Sequence, residues 1–263
     1  MVGLQIKDAP FGSSGTPDPI NKKVLEPLPK LPFRLLIVAP SFGGKTTLIL
    51  NLLKFYENVF KKSDLFLVSQ TAFTDPSWKK APIPVDNRID SYDEAWLQDI
   101  CGLNEEFGSS STSTSRFKTN KFAKLFGIDE SRTSVTKPKP HKLVIFDDVI
   151  GSGFSKRNGN TFLDSFITRC RHHKVSVIIS TQKYKVVSST IRINVSAIIL
   201  FRIGNVTERK VIAEEQSDGV SPQQFLEMWA NAVKPSRGFL FIRKDLPPNL
   251  GMFRNGFSEE YIL

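Results

Sequence analysis

The stretch FRLLIVAPSFGGKTTLILNLLKFY, residues 33–56, decides the fold. It opens with the continuous apolar run FRLLIVA at 33–39, which is typical of a β-strand buried on both faces. From Thr46 to about Tyr56 apolar residues recur at helical spacing, which predicts a helix. Between them, APSFGGKTT at 39–47 fits the pattern G-x-x-x-x-G-K-[ST], except that Ala39 stands at the first position. A strand that enters a helix through such a loop predicts a phosphate-binding P-loop.

This loop is predicted to bind ATP together with Mg²⁺. Glycines at its centre allow the backbone to turn its amides towards the β- and γ-phosphates. Lys45 adds a positive charge at those phosphates, and the hydroxyl of Thr46 can ligate the metal. The start of the helix contributes its partial positive charge. The predicted nucleotide-binding residues are Ser41, Phe42, Gly43, Gly44, Lys45, Thr46 and Thr47.

A P-loop needs an acid to hold the metal, and two acids follow the buried strand KLVIFDDV at 142–149. Asp147 is predicted to act at the Mg²⁺ ion, and Asp148 to polarise the attacking water as a general base. The next apolar strand, VSVIIS at 175–180, is followed by Thr181 and Gln182. In P-loop ATPases with a strand inserted between the two motifs, a polar residue at this place contacts the γ-phosphate. Gln182 fits that role in type and position.

Strands and helices alternate along most of the chain. Further strands are predicted at 64–69, 196–203 and 238–244, the last of them GFLFIRK, and helices at 160–171 and after Ser221. A capping box at Ser91 and Glu94 predicts another helix. This order favours an α/β fold with a mostly parallel central sheet flanked by helices. We expect a flexible arm at 1–28 and one domain at 29–263, with a low-complexity insertion at about 107–140.

Composition limits the classes of function. A formal net charge of +10 and 36 basic residues favour a polyanionic partner such as nucleic acid. Two cysteines and three histidines argue against a disulfide framework and against a zinc site. We find no apolar run of membrane-spanning length and no signal-peptide pattern. These features predict a soluble intracellular protein.

Together the motifs resemble the genome-packaging ATPases of large DNA viruses and virophages, the poxvirus-type members of the FtsK–HerA superfamily of P-loop ATPases. The resemblance covers residues of about 30–245 and rests on APSFGGKTT, VSQTAFTD at 68–75, LVIFDDV, TRCRHHKVSVIISTQ at 168–182 and IRINVSAIILFR at 191–202. Two positions depart from the family pattern. Ala39 replaces the usual first glycine, and Asp148 stands where many relatives carry Glu.

The resemblance implies a RecA/FtsK–HerA-type fold and a hexameric or pentameric ring that threads double-stranded DNA into a preformed capsid. It also implies a capsid or portal-like vertex protein as partner, and a location in the host cytoplasm, in a virus factory or with the virion. Such rings need an arginine from the neighbouring subunit. Arg171 is favoured among four candidates, the others being Arg169, Arg192 and Arg202. Sequence-independent DNA contacts are expected at Lys156 and Arg157, in the loop at 151–160.

Two other classes of function remain open. One is a P-loop kinase or GTPase, although the sequence lacks the Asn-Lys-x-Asp motif by which a GTPase recognises its base. The other is a nucleotide-dependent assembly protein without motor activity. The complete set of Lys45, Asp147, Asp148 and Gln182 favours hydrolysis over a purely structural role.

Overall fold

A nine-stranded sheet forms the centre of the molecule in this computed structural model, which describes residues 18–101, 140–149 and 162–261. The strands are β1 Arg34–Val38, β2 Leu65–Ser69, β3 Arg88–Ile89, β4 Lys142–Asp147, β5 Val175–Thr181, β6 Ala197–Leu200, β7 Leu240–Arg243, β8 Phe253–Asn255 and β9 Glu259–Glu260. Their order across the sheet is β3-β2-β4-β5-β1-β6-β7-β8-β9. The first six strands in this order are parallel, and β7, β8 and β9 add an antiparallel edge.

Helices cover both faces of the sheet. They are α1 Lys45–Phe55, α2 Pro76–Lys79, α3 Glu94–Cys101, α4 Phe162–Arg169, α5 Ser189–Asn194, α6 Val206–Gln216 and α7 Pro222–Ala232. Side chains of β1 alternate between two cores: Leu35 and Ile37 pack with α1, whereas Leu36 and Val38 pack with α4 to α7. Each of these four side chains is at most 1% exposed, which stabilises the fold by about 1.5–3 kcal/mol per residue. The predicted mostly parallel α/β sheet is confirmed.

The parallel register brings the ends of the central strands to one edge. Val38 of β1 pairs with Thr181 of β5, and Asp147 of β4 pairs with Ser180 of β5. The backbone amide of Ala39 donates to the carbonyl of Thr181 at 3.1 Å, which continues the pairing into the P-loop. Residues that follow β1, β4 and β5 therefore converge at the carboxyl edge of the sheet, although they are far apart in sequence.

The expected flexible arm is wrong for residues 18–28. Residues Pro19–Lys23 form a 3₁₀ helix, and Val24 and Leu28 are buried in the core that contains α1. Asn21 fixes the following turn because its side chain exchanges hydrogen bonds with both backbone groups of Leu31. Val24 and Leu28 thus anchor this polar segment to the core, which its composition did not indicate. Residues 1–17 and nearly all of the predicted insertion lie outside the described residues.

Two other expectations differ in detail. GFLFIRK is not the last strand, because β8 and β9 form a hairpin beyond it. The side chain of Asp93, rather than Ser91, accepts a hydrogen bond from the backbone of Trp96 in the first turn of α3, at 3.0 Å. The helix predicted after Ser221 is α7, and a capping box of Ser221 and Gln224 opens it.

Candidate functional site: a P-loop and its acids

A cavity of about 860 Å³ opens at the carboxyl edge of the sheet. Its lining includes every predicted nucleotide and metal residue together with the predicted base and sensor: Ser41, Phe42, Gly43, Gly44, Lys45, Thr46, Thr47, Asp147, Asp148 and Gln182. Residues after β2 contribute as well, namely Ser69, Gln70, Thr71, Asp75 and Ser77, and Lys183 and Arg237 complete the lining. The structure thus brings five separate segments of the chain around one space large enough for a nucleotide.

The glycines of the P-loop are required by its geometry. A Cβ at Gly43 would stand 2.9 Å from the carbonyl oxygen of Pro40 and 3.1 Å from the Cβ of Ala39. Gly44 has a φ of +98° and immediately precedes α1. Ala39 occupies the space beside Gly43, so the methyl group in the first motif position is accommodated because position 43 has no side chain. The loop can therefore keep its backbone amides turned towards a phosphate.

Lys45 connects this loop to the acids. Its side chain is 6% exposed, and the ammonium donates to the carbonyls of Ala39 and Pro40, both at 3.3 Å. The same nitrogen lies 3.3 Å from Oδ2 of Asp148. The positive charge therefore stands between the loop and the end of β4, where the terminal phosphates of a bound nucleotide would lie.

Asp147 is a buried carboxylate held by three side-chain donors. Its side chain accepts a short hydrogen bond from the hydroxyl of Ser180, one from Nε1 of Trp78 at 3.1 Å and one from Ser69 at 3.4 Å. Burial raises the pKa of the Asp147 carboxyl, and the hydrogen bond from Ser180 opposes that rise. These donors fix the orientation of the carboxylate and leave acceptor capacity towards the cavity.

Asp148 lies one residue further on and has a φ of +49°, an uncommon conformation for a residue other than glycine. Its Oδ2 accepts from Nε2 of Gln182 at 3.0 Å, and the Oε1 of Gln182 accepts from the hydroxyl of Ser41 at 2.9 Å. A chain of contacts thus runs from the P-loop through Gln182 and Asp148 to Lys45. The predicted sensor and the predicted base are direct neighbours.

The residues fit a magnesium–nucleotide complex. Oδ1 of Asp148 is buried and has no hydrogen-bond partner within the described part of the chain. Asp147 and the hydroxyl of Thr46 line the same cavity. The described residues contain no group of three or more His, Cys, Asp or Glu side chains that could hold a metal by themselves. One or two carboxylates are the usual protein share for Mg²⁺, which takes its other ligands from water and phosphate oxygens.

None of the four predicted arginines lines this cavity. Arg171 belongs to the 3₁₀ helix Cys170–His173, which precedes β5, so it lies at the opposite edge of the sheet, about 20 Å from the P-loop. Arg192 pairs with Glu215 at 2.8 Å, and Arg202 donates to the carbonyl of Val233 at 2.7 Å. Lys156 and Arg157 lie outside the described residues.

Sequence reasoning missed Trp78 and Arg237. Trp78 is fully buried and reaches Asp147 from α2, while Arg237 enters the cavity from the turn before β7. No motif contains either residue. Ser69 and Ser180 could have been found from the sequence, because each lies at the end of a predicted strand. In the sheet, both of these strands are neighbours of the strand that bears Asp147.

Comparison with known proteins supplies a family match and a fold match. Residues 113–230 match the family model for the poxvirus A32 protein. This segment contains Asp147, Asp148, Arg171 and Gln182 and begins downstream of the P-loop. A search of curated protein sequences found no match. No helix among the described residues is long and apolar enough to cross a membrane.

Among solved structures, the chain is similar to the DNA-packaging ATPase B204 from Sulfolobus turreted icosahedral virus, with a TM-score of 0.52 and 16% identity over 82% of this chain and 94% of that one. It is also similar to the genome packaging NTPase B204 from Sulfolobus turreted icosahedral virus 2 in complex with AMP, with a TM-score of 0.51 and 15% identity over 81% and 93% of the two chains. The described fold is therefore that of these P-loop ATPases. The family match confirms the resemblance that the motifs indicated: residues 113–230 carry the sequence pattern of the poxvirus A32 protein family.

Proposed function

We propose that the protein is an ATP-hydrolysing motor that translocates double-stranded DNA and packages a viral genome into a preformed capsid. The observation that carries this proposal is the convergence of Lys45, Asp147, Asp148 and Gln182 around one cavity at the carboxyl edge of the sheet. The A32 family match and the packaging function named for both B204 proteins support the packaging role.

Each side chain has a role that follows from its position. The amides of the loop and Lys45 bind the β- and γ-phosphates, and Thr46 and Asp147 hold Mg²⁺. When bound, Mg²⁺ neutralises charge on the phosphate oxygens. Asp148 accepts a proton from the attacking water, and Gln182 orients that water and the γ-phosphate. The 3.0 Å hydrogen bond between Gln182 and Asp148 supports roles at the same attacking water.

Translocation requires contacts beyond this cavity. We assign the trans-acting arginine to Arg171, whose position at the opposite edge of the sheet requires a neighbouring subunit to bring it to a P-loop. We assign phosphate contacts with DNA to Lys156 and Arg157, and the net charge of +10 favours such a polyanion. Assembly as a ring, a capsid or portal-like vertex partner, and a location in the host cytoplasm or a virus factory complete the proposal.

One experiment tests the function directly. ATP hydrolysis is measured with and without long double-stranded DNA across a series of salt concentrations. We expect stimulation by DNA that falls steeply as salt rises, because phosphate contacts release counterions. Turnover that DNA leaves unchanged, or that a small metabolite stimulates instead, would favour the kinase or assembly alternatives and contradict a DNA motor.

A further inference from the structure

A second space adjoins the P-loop on the side away from the acids. It is a groove of about 470 Å³ between the outer face of the loop and the turn at 233–238. Phe42, Gly43 and Arg237 line both this groove and the cavity of the P-loop. The two spaces are therefore adjacent, and none of the roles assigned above uses the groove.

The direction of a bound nucleotide follows from the strand order. In the sequence β4-β5-β1-β6-β7, Asp147, Asp148 and Gln182 follow β4 and β5, which lie on one side of β1. The roles proposed for them, at the metal ion, the attacking water and the γ-phosphate, put the γ-phosphate end of the nucleotide on this side. The other end of an extended nucleotide must then point to the opposite side of β1, where Phe201 and Arg202 follow β6. The groove occupies that place.

Hydrogen bonds fix the two walls of the groove, the end of β6 and the turn after α7, relative to each other. Nε1 of Trp229 donates to the carbonyl of Phe201 at 3.1 Å, and Arg202 donates to the carbonyl of Val233 at 2.7 Å. These bonds tie the end of β6 to α7 and to the turn that follows it. The turn requires glycine at position 238, because a Cβ there would stand 2.4 Å from the carbonyl oxygen of Ala232. The space is thus preformed, which lowers the entropic cost of binding.

Two residues with unusual backbone conformations line the groove. Phe42 has a φ of +59° and a fully exposed ring, and Arg237 has a φ of +61°. The Cδ of Arg237 lies 3.6 Å from the position that a Cβ of Gly44 would occupy. A residue other than glycine that is held in this uncommon conformation at the rim of a ligand cavity supports a hypothesis of function. A ring beside a phosphate site provides a stacking platform for a base.

We infer that this groove binds the nucleoside part of the nucleotide, with the ring of Phe42 stacked on the base and Arg237 spanning the junction with the phosphates. The inference rests on the proposed nucleotide-binding function and extends it to base recognition. The described residues that line the groove include Arg202, Lys234 and Arg237, and none of them is Asp or Glu. Without a side-chain carboxylate to accept from the N–H groups of guanine, recognition depends on stacking, which every base can supply. The site therefore accepts ATP and GTP with similar affinity.

The test is a calorimetric titration with three probes: a non-hydrolysable ATP analogue, the matching GTP analogue and inorganic tripolyphosphate, each with Mg²⁺. We expect the two analogues to bind the unmodified chain within about tenfold of each other. Phe42→Ala should weaken both by about 5- to 150-fold and leave tripolyphosphate binding unchanged. Phe42→Trp should retain the affinity of both analogues. Phe55→Ala is the matched control, because Phe55 is 44% exposed at the far end of α1.

Three results would overturn the inference. The first is analogue binding that Phe42→Ala leaves unchanged. The second is an equal loss of tripolyphosphate binding, which would show that Phe42 acts by shaping the phosphate loop. The third is a preference for one base of more than about a hundredfold. None of these results depends on DNA or on turnover, so failure of the motor function and failure of the nucleoside groove are distinguishable.

Discussion

The hydrogen bond from Trp78 to Asp147 provides a sensitive test of how the proposed metal-binding acid is positioned. Trp78 is fully buried, and its indole N–H donates to Oδ2 of Asp147 at 3.1 Å. Trp78→Phe keeps an aromatic ring there but removes the donor. Among the described side chains, the hydroxyls of Ser69 and Ser180 then remain as donors to the carboxylate.

A second tryptophan in the same molecule provides the control. Trp229 is 2% exposed, and its indole donates at the same distance of 3.1 Å, but to the neutral carbonyl of Phe201. A hydrogen bond to a charged group contributes about 1.5–3 kcal/mol to the free energy of unfolding, compared with about 0.5–1.5 kcal/mol for a neutral pair. The loss of ring volume is the same in Trp78→Phe and Trp229→Phe. The first variant should therefore be less stable than the second by about 1–1.5 kcal/mol.

Two measurements check this reasoning. For a domain of this size, that difference lowers the midpoint of thermal unfolding of Trp78→Phe by about 2–6 °C relative to Trp229→Phe. The concentration of Mg²⁺ needed for half-maximal ATP hydrolysis should rise about tenfold or more in Trp78→Phe alone, as expected when a partner of a metal ligand is lost. Equal unfolding midpoints together with an unchanged Mg²⁺ dependence would refute a positioning role for Trp78.

Three further variants test the roles assigned at the P-loop. Lys45→Ala should weaken ATP binding at least tenfold in an equilibrium titration, because it removes the charge at the terminal phosphates, whereas Lys54→Ala on the same helix should not. Asp148→Asn should bind ATP normally but lower kcat by about 10²- to 10⁴-fold in steady-state kinetics, since it cannot accept the proton. Gly43→Ala should weaken binding of ATP and tripolyphosphate alike, because its Cβ would stand 2.9 Å from a carbonyl oxygen, while Gly204→Ala has open space and should be neutral in the same titration.

Each of these variants has an outcome that contradicts its premise. Normal turnover in Asp148→Asn would place the general base elsewhere. Similar losses in both lysine variants would indicate a general effect of charge rather than a phosphate contact. Unchanged phosphate affinity in Gly43→Ala would mean that the loop can adopt another backbone path without loss of its amide cradle.

The convergence of the candidate phosphate-binding residues was predictable, because each of them follows an apolar run that predicts a central strand. A run of apolar residues marks each central strand, and parallel strands place their following residues at one edge. The glycines of APSFGGKTT and the pair at Asp147 and Asp148 could therefore be assigned together from strand boundaries alone. The contact between Gln182 and Asp148 follows from the same arrangement, since β4 and β5 are neighbours.

The remaining parts depend on long-range packing that no local pattern encodes. Trp78 lies 69 residues before the carboxylate that it contacts, in a four-residue helix with no metal-binding motif. Residues 18–28 look polar in sequence, yet Val24 and Leu28 are buried because the following turn is tied down at Asn21 and Leu31. In both cases a few buried side chains fix the position of a segment that is polar in composition, because their burial stabilises the folded state.

The same distinction explains why the two ends of the proposed nucleotide site differ so much in predictability. Phosphates are recognised by backbone amides and charge, which require glycine and lysine at fixed spacing and so leave a motif in the sequence. The proposed nucleoside groove is built from Phe42, the end of β6 and the turn before β7, and stacking requires only a planar surface at the right distance. Many residue types satisfy that requirement, so it imposes no fixed pattern. The positive φ angles of Phe42 and Arg237 become visible only when the folded backbone brings these segments together, which is why the groove had to be inferred from the structure.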